Sequence, residues 1–279
     1  MAGATAGRPA RASRVPSTAN PRLAGDSAGE YVQSLDRGLA VIRAFTNEQP
    51  RMTIADVARQ TGLTRAAARR FLHTLASIGY VGSTGGFFYL RPRVLELGYA
   101  YLSSASFADI AQEHLVHLAE ELHESCSASV LDLPDVVYVA RAQTSRIMTI
   151  ALAVGTRLPA YATSMGRVLL ASLPAAELDA YVSETNFDRL TGHTVTGKAA
   201  LRRVLHTVGE QGFAIIDQEL ELGVRSAAAP VRDAEGRVIA AINVSAHASR
   251  VTLQELRSHF LPALLRAAAE IDHDLRSRL

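Results

Sequence analysis

Three helix-length segments follow one another between residues 34 and 78 with only short breaks, which limits how the N-terminal part of the chain can fold. In the first, SLDRGLAVIRAFT, the apolar residues that share one helical stripe are Leu35, Leu39, Ile42 and Phe45. The second begins at Thr53, where Asp56 three residues later gives a pattern like a capping box, and it ends at Gly62. A third helix is predicted over residues 65–77. Short helices separated by tight turns are typical of a helix-turn-helix.

A hairpin is predicted directly after the third helix. The segment GYVGSTGGFFYLR contains two β-runs around a turn at Ser83–Gly86, and the Gly85-Gly86 pair suits the positive φ angles of a tight hairpin turn. On the third helix, the residues expected to face the core are Ala68, Phe71, Leu72, Leu75 and Ile78. This order of elements predicts a winged helix-turn-helix domain over residues 30–91.

The other side of the third helix is basic. Arg65, Arg69 and Arg70 lie within two turns of one another, and no acidic residue stands at i,i+4 spacing to pair with them. The second helix of a helix-turn-helix enters the major groove, where arginine can bind guanine through two hydrogen bonds. The residues predicted to contact base edges or phosphates are Thr53, Thr64, Arg65, Ala66, Arg69, Arg70 and His73. The alternative is that these arginines form an ordinary solvated surface.

Charge is unevenly divided along the chain. The first 100 residues contain 13 lysines and arginines against 6 acidic residues, whereas the remainder contains 16 against 21. This division is expected if the first part binds a polyanion and the second part does something else. Because one helix-turn-helix reads few base pairs, the predicted partner is double-stranded operator DNA bound by two or more copies of the chain.

The remaining bulk features bear on location and on the flanking segments. No run approaches the roughly 20 apolar residues of a membrane-spanning helix, and Cys126 is the only cysteine, so we expect a cytoplasmic protein with no membrane partner. Residues 1–29, rich in Ala, Gly, Pro, Ser and Arg, are predicted to be a disordered tail that either adds loose attraction to phosphate or is inert. Residues 92–105 are predicted to be a connecting helix, with apolar residues around much of its girth that favour packing against a partner chain.

Residues 106–279 alternate between helices and strands. SFADIAQEHLVHLAEELHES is predicted to be an amphipathic helix, SASVLDLPDVVYVARA two strands joined at Pro134-Asp135, RIMTIALAV a further strand and YATSMGRVLLASL a helix. Strands follow in FAIIDQEL and on both sides of the AEGR turn, and a capping box at Thr252 and Glu255 precedes the last helix. Hairpin-joined strands predict an antiparallel sheet with flanking helices, so the fold class of the chain is α+β.

Enzyme motifs are missing from this half of the sequence. It has no G-x-S-x-G elbow, no phosphate loop and no G-x-G-x-x-G. His114 and His117 fall short of a zinc ligand set, and Cys126 in ESCSAS is more typical of packing than of a nucleophile. We therefore predict no catalytic residue, no metal and no cofactor.

Two features indicate a small-molecule pocket instead. Gly155 and Pro159 break the chain before a helix, so that the amides of residues 162–166 are expected to point outward at a positive helix end, which suits a carboxylate. Polar residues also interrupt apolar strands, and Asn243 and Ser245 share one strand face, where buried polar groups require partners. The predicted effector-binding residues are Arg146, Arg157, Tyr161, Ala162, Thr163, Ser164, Met165, Gly166, Asp217, Ser226, Asn243 and Ser245.

Three of these residues have specific predicted roles. Arg146 and Arg157 are candidate clamps for a carboxylate, with the alternative that they are surface charges near strand ends. Tyr161 could stack on an aromatic ring.

Several segments of the chain resemble the IclR family of bacterial transcription regulators. They are SLDRGLAVIRAF, TIADVARQTGLTRAAARRFLHTLASIGYV, GTRLPAYATSMGRVLLA and AAPVRDAEGRVIAAINVS, and the resemblance runs from about Tyr31 to the C-terminus. RIMTIALAVGTRLPAYATSMGRVLLAS is particularly similar to the subgroup that controls protocatechuate, 4-hydroxybenzoate and β-ketoadipate catabolism. The resemblance implies a GAF-like effector domain over residues 106–279, a homodimer or homotetramer, and a small carboxylate effector, aromatic or a diacid. It also implies contact with RNA polymerase if the protein is an activator, since the subgroup contains both activators and repressors.

The resemblance further implies how the effector is bound. Family members hold it with the loop and helix start near residue 162, with an acidic residue, and with side chains that match Ser226, Asn243 and Ser245. Cysteine is common at the first of these three positions and serine at the second, and the acidic position aligns either with Asp217 or with Ile216. The implied function is a ligand-responsive regulator of a catabolic operon. The alternatives are a DNA-binding protein whose C-terminal half serves only assembly, and a metabolic enzyme with an accessory DNA-binding domain.

Overall fold

The computed structural model describes residues 31–99, 106–144 and 152–277. The chain divides into two compact units, Met1–Ala100 and Tyr101–Leu279. Residues 1–29, predicted to be a disordered tail, lie outside the described residues, as do residues 100–105 of the predicted connecting helix. Across the described ranges, none of the helices has the length and apolar character needed to span a bilayer.

The N-terminal unit consists of three helices and a hairpin, as the sequence predicts. Its elements are α1 (Gln33–Arg43), α2 (Ile54–Thr61), α3 (Arg65–Ser77), β1 (Val81–Thr84) and β2 (Phe87–Leu90). The two strands pair antiparallel around Gly85 and Gly86, whose φ angles of +59° and +82° are those of a tight turn that favours glycine. A bridge between Met52 and Phe88 ties the segment before α2 to the hairpin. The predicted winged helix-turn-helix is confirmed.

Local signals set the ends of α2 and α3. Thr53 and Asp56 form a complete capping box at the start of α2, and Gly62 ends the helix in the left-handed region at φ +71°. Thr64 caps α3 by accepting a hydrogen bond from the Ala67 amide. These short-range bonds explain why the bounds of both helices can be predicted from the sequence.

The apolar stripe of α1 is only partly buried. Val41 and Ala44 lie in the core, whereas Leu35 and Leu39 are 63% and 41% exposed. Ile78, at the end of α3, is also exposed. The core of this small unit packs against the C-terminal half of α1. The apolar side chains in the first turns of α1 therefore lie on the surface.

The second unit is a six-stranded antiparallel sheet with helices on both faces. Its elements are α4 (Ser106–Leu122), β3 (Ser125–Asp132), β4 (Asp135–Ala142), β5 (Arg157–Pro159), α5 (Ser164–Ala171), α6 (Ala175–Glu184), α7 (Lys198–Gln211), β6 (Ala214–Asp217), β7 (Val224–Arg232), β8 (Val238–His247) and α8 (Leu261–Ser277). The strand order is β5-β4-β3-β8-β7-β6, and every pairing is antiparallel. The predicted α+β class is confirmed.

Each face of the sheet has its own core. On one face α4 and α8 pack against the strands around Cys126, Ala128 and Val244. On the other face α5 and α7 pack against the strands around Tyr138, Ala228 and Ala241. Burial raises the pKa of the Cys126 thiol well above its ordinary value. The strands therefore send alternate side chains into two separate layers.

One strand prediction is not confirmed. Residues 145–151 lie outside the described residues, and residues 152–154, at the end of the predicted strand, are not in a strand. The strand that the structure describes in this region is β5, Arg157–Pro159, which pairs with the start of β4. Gly155, at φ +88°, turns the chain into it, and the Gly155 amide donates to the Tyr138 carbonyl.

Candidate DNA interface and effector site

The basic side of α3 is exposed. Ala68, Leu72 and Leu75 fix the opposite side of the helix in the core of the N-terminal unit. The side chains left on the surface are Arg65, Ala66, Arg69, Arg70 and His73. Among residues 31–99, 106–144 and 152–277, no acidic side chain forms an ion pair with the three arginines. This helix therefore presents unpaired positive charge beside a small alanine side chain, as a duplex groove requires.

The two threonines of the predicted interface differ in what they can donate. Thr64 uses its hydroxyl oxygen to accept the Ala67 amide, at 3.2 Å, so its O–H can still donate to a phosphate. Thr53 donates both its backbone N–H (3.1 Å) and its hydroxyl (2.7 Å) to Asp56, and these bonds lower the pKa of the Asp56 carboxyl. The Asp56 carboxylate also accepts a hydrogen bond from Arg59. Both donors of Thr53 are thus used within the protein, and its phosphate contact stays a prediction.

The hairpin supports the end of the basic face. The His73 ring packs edge-on against Phe88 of β2, with ring centroids 5.9 Å apart. The hairpin tip, residues 83–86, has no basic side chain. Contacts from this unit to DNA are therefore expected mainly from α3.

Four of the predicted effector residues come together where α5 begins over the sheet. The Ser226 hydroxyl donates to the Ser164 hydroxyl oxygen at 2.9 Å, and the Asn243 amide nitrogen donates to the Ser245 hydroxyl oxygen at 3.0 Å. Ser226 and Ser245 stand directly opposite each other in the β7–β8 register. Ser164 precedes the three strand residues by 62 positions or more along the chain. The sheet register brings them together.

This polar cluster is incompletely satisfied inside the protein. Asn243 is almost fully buried, yet its side-chain oxygen has no hydrogen-bond partner among the described residues. The hydroxyl of Ser129, on the neighbouring strand β3, is also buried without a partner in this part of the chain. A buried polar atom without a partner costs roughly 1–3 kcal/mol. A ligand with matching polar groups would remove that cost.

Residues of β3 were missed in the sequence. Ser125 faces Ser245, Ser127 faces Asn243 and Ser129 faces Ala241, so the three serines extend the polar surface by one strand. The alternation of serine with Cys126 and Ala128 in SCSAS was the available signal, because alternate residues of a strand share a face.

The structure contradicts the effector role predicted for Asp217. Ser226, on the side of the sheet that carries the polar cluster, stands opposite Ile216. Asp217, the next residue along β6, therefore points to the other side. There Asp217 pairs with Arg225, with 2.5 Å between Oδ1 and Nε. The resemblance left two positions for the acidic residue of the family, Asp217 and Ile216. Of these two, Ile216 faces the side of the sheet that carries the polar cluster.

Of the two predicted clamps, one is contradicted and the other is not described. Arg157 forms ion pairs with Asp132 and Asp135 at the exposed end of β5. Its cross-strand neighbour is Val137. The residue next to Val137 along β4, Val136, faces the core around α5. The Arg157 side chain therefore lies on the other side of the sheet, away from α5. Arg146 lies outside the described residues.

The loop before α5 is held mainly by its own packing. Tyr161 is buried, donates its hydroxyl to the Asp188 carbonyl at 3.0 Å and packs edge-on against Phe187. Ala162 and Met165 are fully buried in the core around α5. A Cβ on Gly166 would stand 2.1 Å from the Ala160 carbonyl oxygen. The side-chain positions of these residues are thus occupied by protein contacts.

The amides at the start of α5 are only partly available. Thr163 caps the helix by accepting the Gly166 amide at 3.1 Å. The Thr163 amide donates to the Ala160 carbonyl, whereas the hydrogen bonds of the described residues assign no acceptor to the amides of Ala162, Ser164 and Met165. The predicted carboxylate seat is therefore reduced from five amides to three.

A buried ion pair that the sequence did not reveal fixes α5. Arg167, 3% exposed, makes two hydrogen bonds of 2.8 and 2.6 Å to the carboxylate of Glu219, 8% exposed. The Arg167 Nε also donates to the Tyr161 carbonyl, and Glu219 accepts the Val195 amide at 2.9 Å. The pair joins α5, the loop before it, the segment after β6 and the segment before α7.

Comparison with known proteins assigns both units. The model of the IclR helix-turn-helix domain matches residues 34–85, and that of the bacterial transcriptional regulator IclR C-terminal domain matches residues 99–273. The Pca regulon regulatory protein of Pseudomonas putida is 44% identical over 88% of this chain and 85% of its own length.

Solved structures give the same assignment. A transcriptional regulator from Rhodococcus sp. RHA1 is 53% identical, with a TM-score of 0.80 over 89% of this chain and 100% of its own. An IclR homologue from Microbacterium hydrocarbonoxydans, solved in complex with 4-hydroxybenzoate, is 25% identical, with a TM-score of 0.77 over 88% of this chain and 99% of its own. The exposed arginine helix, the sheet with its polar cluster and these matches show that the chain belongs to the IclR family of bacterial transcription regulators.

Proposed function

We propose that this protein is a cytoplasmic, non-enzymatic regulator of an aromatic-acid catabolic operon. It binds operator DNA through α3 and a small aromatic carboxylate through the face of the sheet beneath α5. The observation that carries the effector half of this proposal is the cluster of the buried Ser164, Ser226 and Asn243 with the half-buried Ser245, in which the Asn243 oxygen has no partner among the described residues.

The choice of an aromatic acid rests on relatives as well as on this cluster. A 36% identical protein of Acinetobacter baylyi is the p-hydroxybenzoate hydroxylase transcriptional activator, and the Microbacterium homologue holds 4-hydroxybenzoate. The cluster supplies hydroxyl and amide groups, which suit a hydroxylated acid. We therefore name 4-hydroxybenzoate and protocatechuate as the first candidates.

Assembly as a homodimer or homotetramer is supported by exposed apolar side chains in the N-terminal unit. Leu35 and Leu39 lie exposed on α1, and Leu95, Leu97 and Tyr99 lie exposed after the hairpin. Apolar groups of this number on one small unit favour burial against another copy of the chain. Two copies would read two half-sites of a palindromic operator. RNA polymerase is a further partner if the protein activates.

The proposal predicts thermodynamic coupling between the two ligands. If an effector acid changes the affinity for operator DNA, operator must change the affinity for that acid by the same factor, typically 5–150-fold. Isothermal titration calorimetry of the full chain with 4-hydroxybenzoate and protocatechuate, with and without an operator identified by footprinting, measures this factor. Acids that bind with equal affinity in both states would contradict an effector role.

The alternatives give different results in the same experiment. A C-terminal unit that serves only assembly binds neither acid, although the chain still protects DNA. An enzyme consumes an acid, which chromatography of the titration mixture would detect. Under the proposal, Asn243→Ala retains operator binding and loses the response to the acid.

A further inference from the structure

Arg141 projects from β4 onto the same side of the sheet as the polar cluster. Its neighbours along the strand, Ala140 and Ala142, lie in the core on the opposite side, beneath α4 and α8. Across the sheet Arg141 stands opposite Ser127, which stands opposite Asn243. Directly opposed residues share a face, so these three residues form one row across three strands.

Among the described residues, the side chain of Arg141 has no acidic partner, whereas comparable arginines do. Arg167 and Arg225, the other buried or half-buried arginines in the described part of the second unit, each pair with a carboxylate. No described residue forms an ion pair with Arg141, and its Nε is inaccessible to water and without a hydrogen-bond partner in the described ranges. Burial lowers the pKa of Arg141, although a guanidinium remains protonated in proteins.

The backbone of Arg141 is fixed from the other side of the sheet. The Gln112 side chain of α4 accepts the Arg141 amide at 3.1 Å and donates to the Arg141 carbonyl at 3.3 Å. These two hydrogen bonds take the place of bonds to a neighbouring strand, because this part of β4 extends beyond its pairing with β5. They set the point from which the guanidinium leaves the sheet, and preorganised donors bind more tightly.

Two buried oxygens have no partner among the described residues: the side-chain oxygen of Asn243, at the end of this row, and the hydroxyl of Ser129, two residues along β3 from Ser127. Neighbouring strands are about 4.8 Å apart, so roughly 10 Å of sheet separates the backbone positions of Arg141 and Asn243. The short side chain of Ser127 lies between them. This spacing suits one aromatic ring, with an anion at one end and a hydroxyl group at the other.

We propose that Arg141 binds the carboxylate of the effector, that Asn243 and Ser129 receive its ring hydroxyl group, and that the site thereby selects hydroxylated aromatic monocarboxylates over diacids. This inference rests on the proposed function, because it assigns the chemistry of the same site. A guanidinium forms paired, charge-assisted hydrogen bonds with a carboxylate, and a buried unpaired charge is costly. The effector supplies the missing negative charge.

Ligand analogues test this role without any mutation. Calorimetry of the wild-type full chain is to compare 4-hydroxybenzoate with the uncharged 4-hydroxybenzamide and with benzoate, which lacks the hydroxyl group. We expect 4-hydroxybenzoate to bind on the order of 10- to 100-fold more tightly than the amide, the range for a lost hydrogen bond to a charged group. Equal affinities of acid and amide would overturn the role of Arg141 and leave the effector function standing.

Matched arginine variants test the position. Arg141→Gln is expected to remove the preference for acid over amide, whereas Arg157→Gln, on the other side of the sheet, is expected to change it less than about two-fold. Arg141→Met is expected not to lower the Tm of the ligand-free protein, because it removes a charge with which no described residue forms an ion pair. If Arg141 had a structural role instead, its replacement would lower the Tm, and the folded protein would keep its ratio of affinities for acid and amide.

The outcomes separate the two proposals. If the wild-type chain binds none of the three compounds nor protocatechuate, the proposed function fails and this inference fails with it. If it binds them and Arg141→Gln keeps the acid preference, only this inference fails. A variant that does not fold leaves the wild-type analogue series to decide.

Discussion

The buried ion pair between Arg167 and Glu219 gives the sharpest prediction about stability. Replacing Glu219 with Ala removes both hydrogen bonds to Arg167 and the bond from the Val195 amide. It leaves Arg167, which is 3% exposed, as a charge without its carboxylate in the core around α5. Breaking a buried pair from one side typically costs about 3–5 kcal/mol. We expect a loss of that size for Glu219→Ala.

The double replacement Arg167→Met/Glu219→Leu is expected to recover most of this loss. Apolar side chains of similar volume carry no desolvation cost, and such exchanges are often neutral or stabilising. Nonadditivity of about 2 kcal/mol or more between the single and double variants would follow, because the two side chains are in contact. The Tyr161 carbonyl loses its bond from Arg167 in the double variant, which limits the recovery.

Urea unfolding followed by far-ultraviolet circular dichroism measures these differences, since the chain has no tryptophan for fluorescence. The matched control is Asp179→Ala, which breaks the exposed pair of Asp179 and Arg202 and should cost no more than about 1 kcal/mol. A loss for Glu219→Ala as small as that of the control would refute the reasoning, because it would mean that water reaches Arg167.

Two further predictions concern the DNA interface and the start of α5. Arg69→Ala is expected to weaken operator binding roughly ten-fold or more, because an arginine contact to a base is worth about 1–3 kcal/mol; gel-shift titrations over a range of salt concentrations measure it. Gly166→Ala is expected to destabilise the chain by about 1–3 kcal/mol in urea unfolding, because its Cβ would stand 2.1 Å from the Ala160 carbonyl oxygen and the backbone would have to move.

Each of these variants has a matched control. Arg266→Ala removes an equal charge from the second unit, where Arg266 pairs with Glu121, and should leave operator affinity nearly unchanged. Gly209→Ala, inside α7, meets no atom nearer than 3.9 Å and should stabilise by up to about 1 kcal/mol through helix propensity. An unaltered affinity and salt slope for Arg69→Ala would exclude Arg69 from the interface. Equal effects of the two glycine variants would show that the close contact at Gly166 is relieved without cost.

Much of the secondary structure could be predicted because its signals are local. The capping boxes at Thr53 and Thr252 and the bounds of α3 all follow from residues within one or two helical turns. The glycine turn between β1 and β2 is equally local. The strand predicted over residues 146–154 failed at its described end because a short apolar run does not reveal where the chain turns.

The predicted effector residues divide by how far their neighbours lie along the chain. Asn243 and Ser245 could be placed on one face from their spacing alone, and the structure brings them together with Ser226. Asp217 could not be assigned, because a shift of one residue in strand register moves a side chain to the opposite face. Arg157 lies in β5, shortly before α5 in the chain, but its side chain is on the side of the sheet opposite the polar cluster.

The sequence by itself determined the helix-turn-helix, the exposed arginines of α3 and the existence of a sheet with polar positions, because helical period and strand alternation are properties of neighbouring residues. Only the tertiary structure decided which arginine faces the polar cluster. An irregularity in the β3–β4 register between Ala128 and Ser129 pairs Ser129 with Tyr138 and Ser127 with Arg141, so that both partners on β4 lie on one face although three positions separate them. Which side chains meet across a sheet depends on pairing between distant strands, and the burial of both faces selects that pairing.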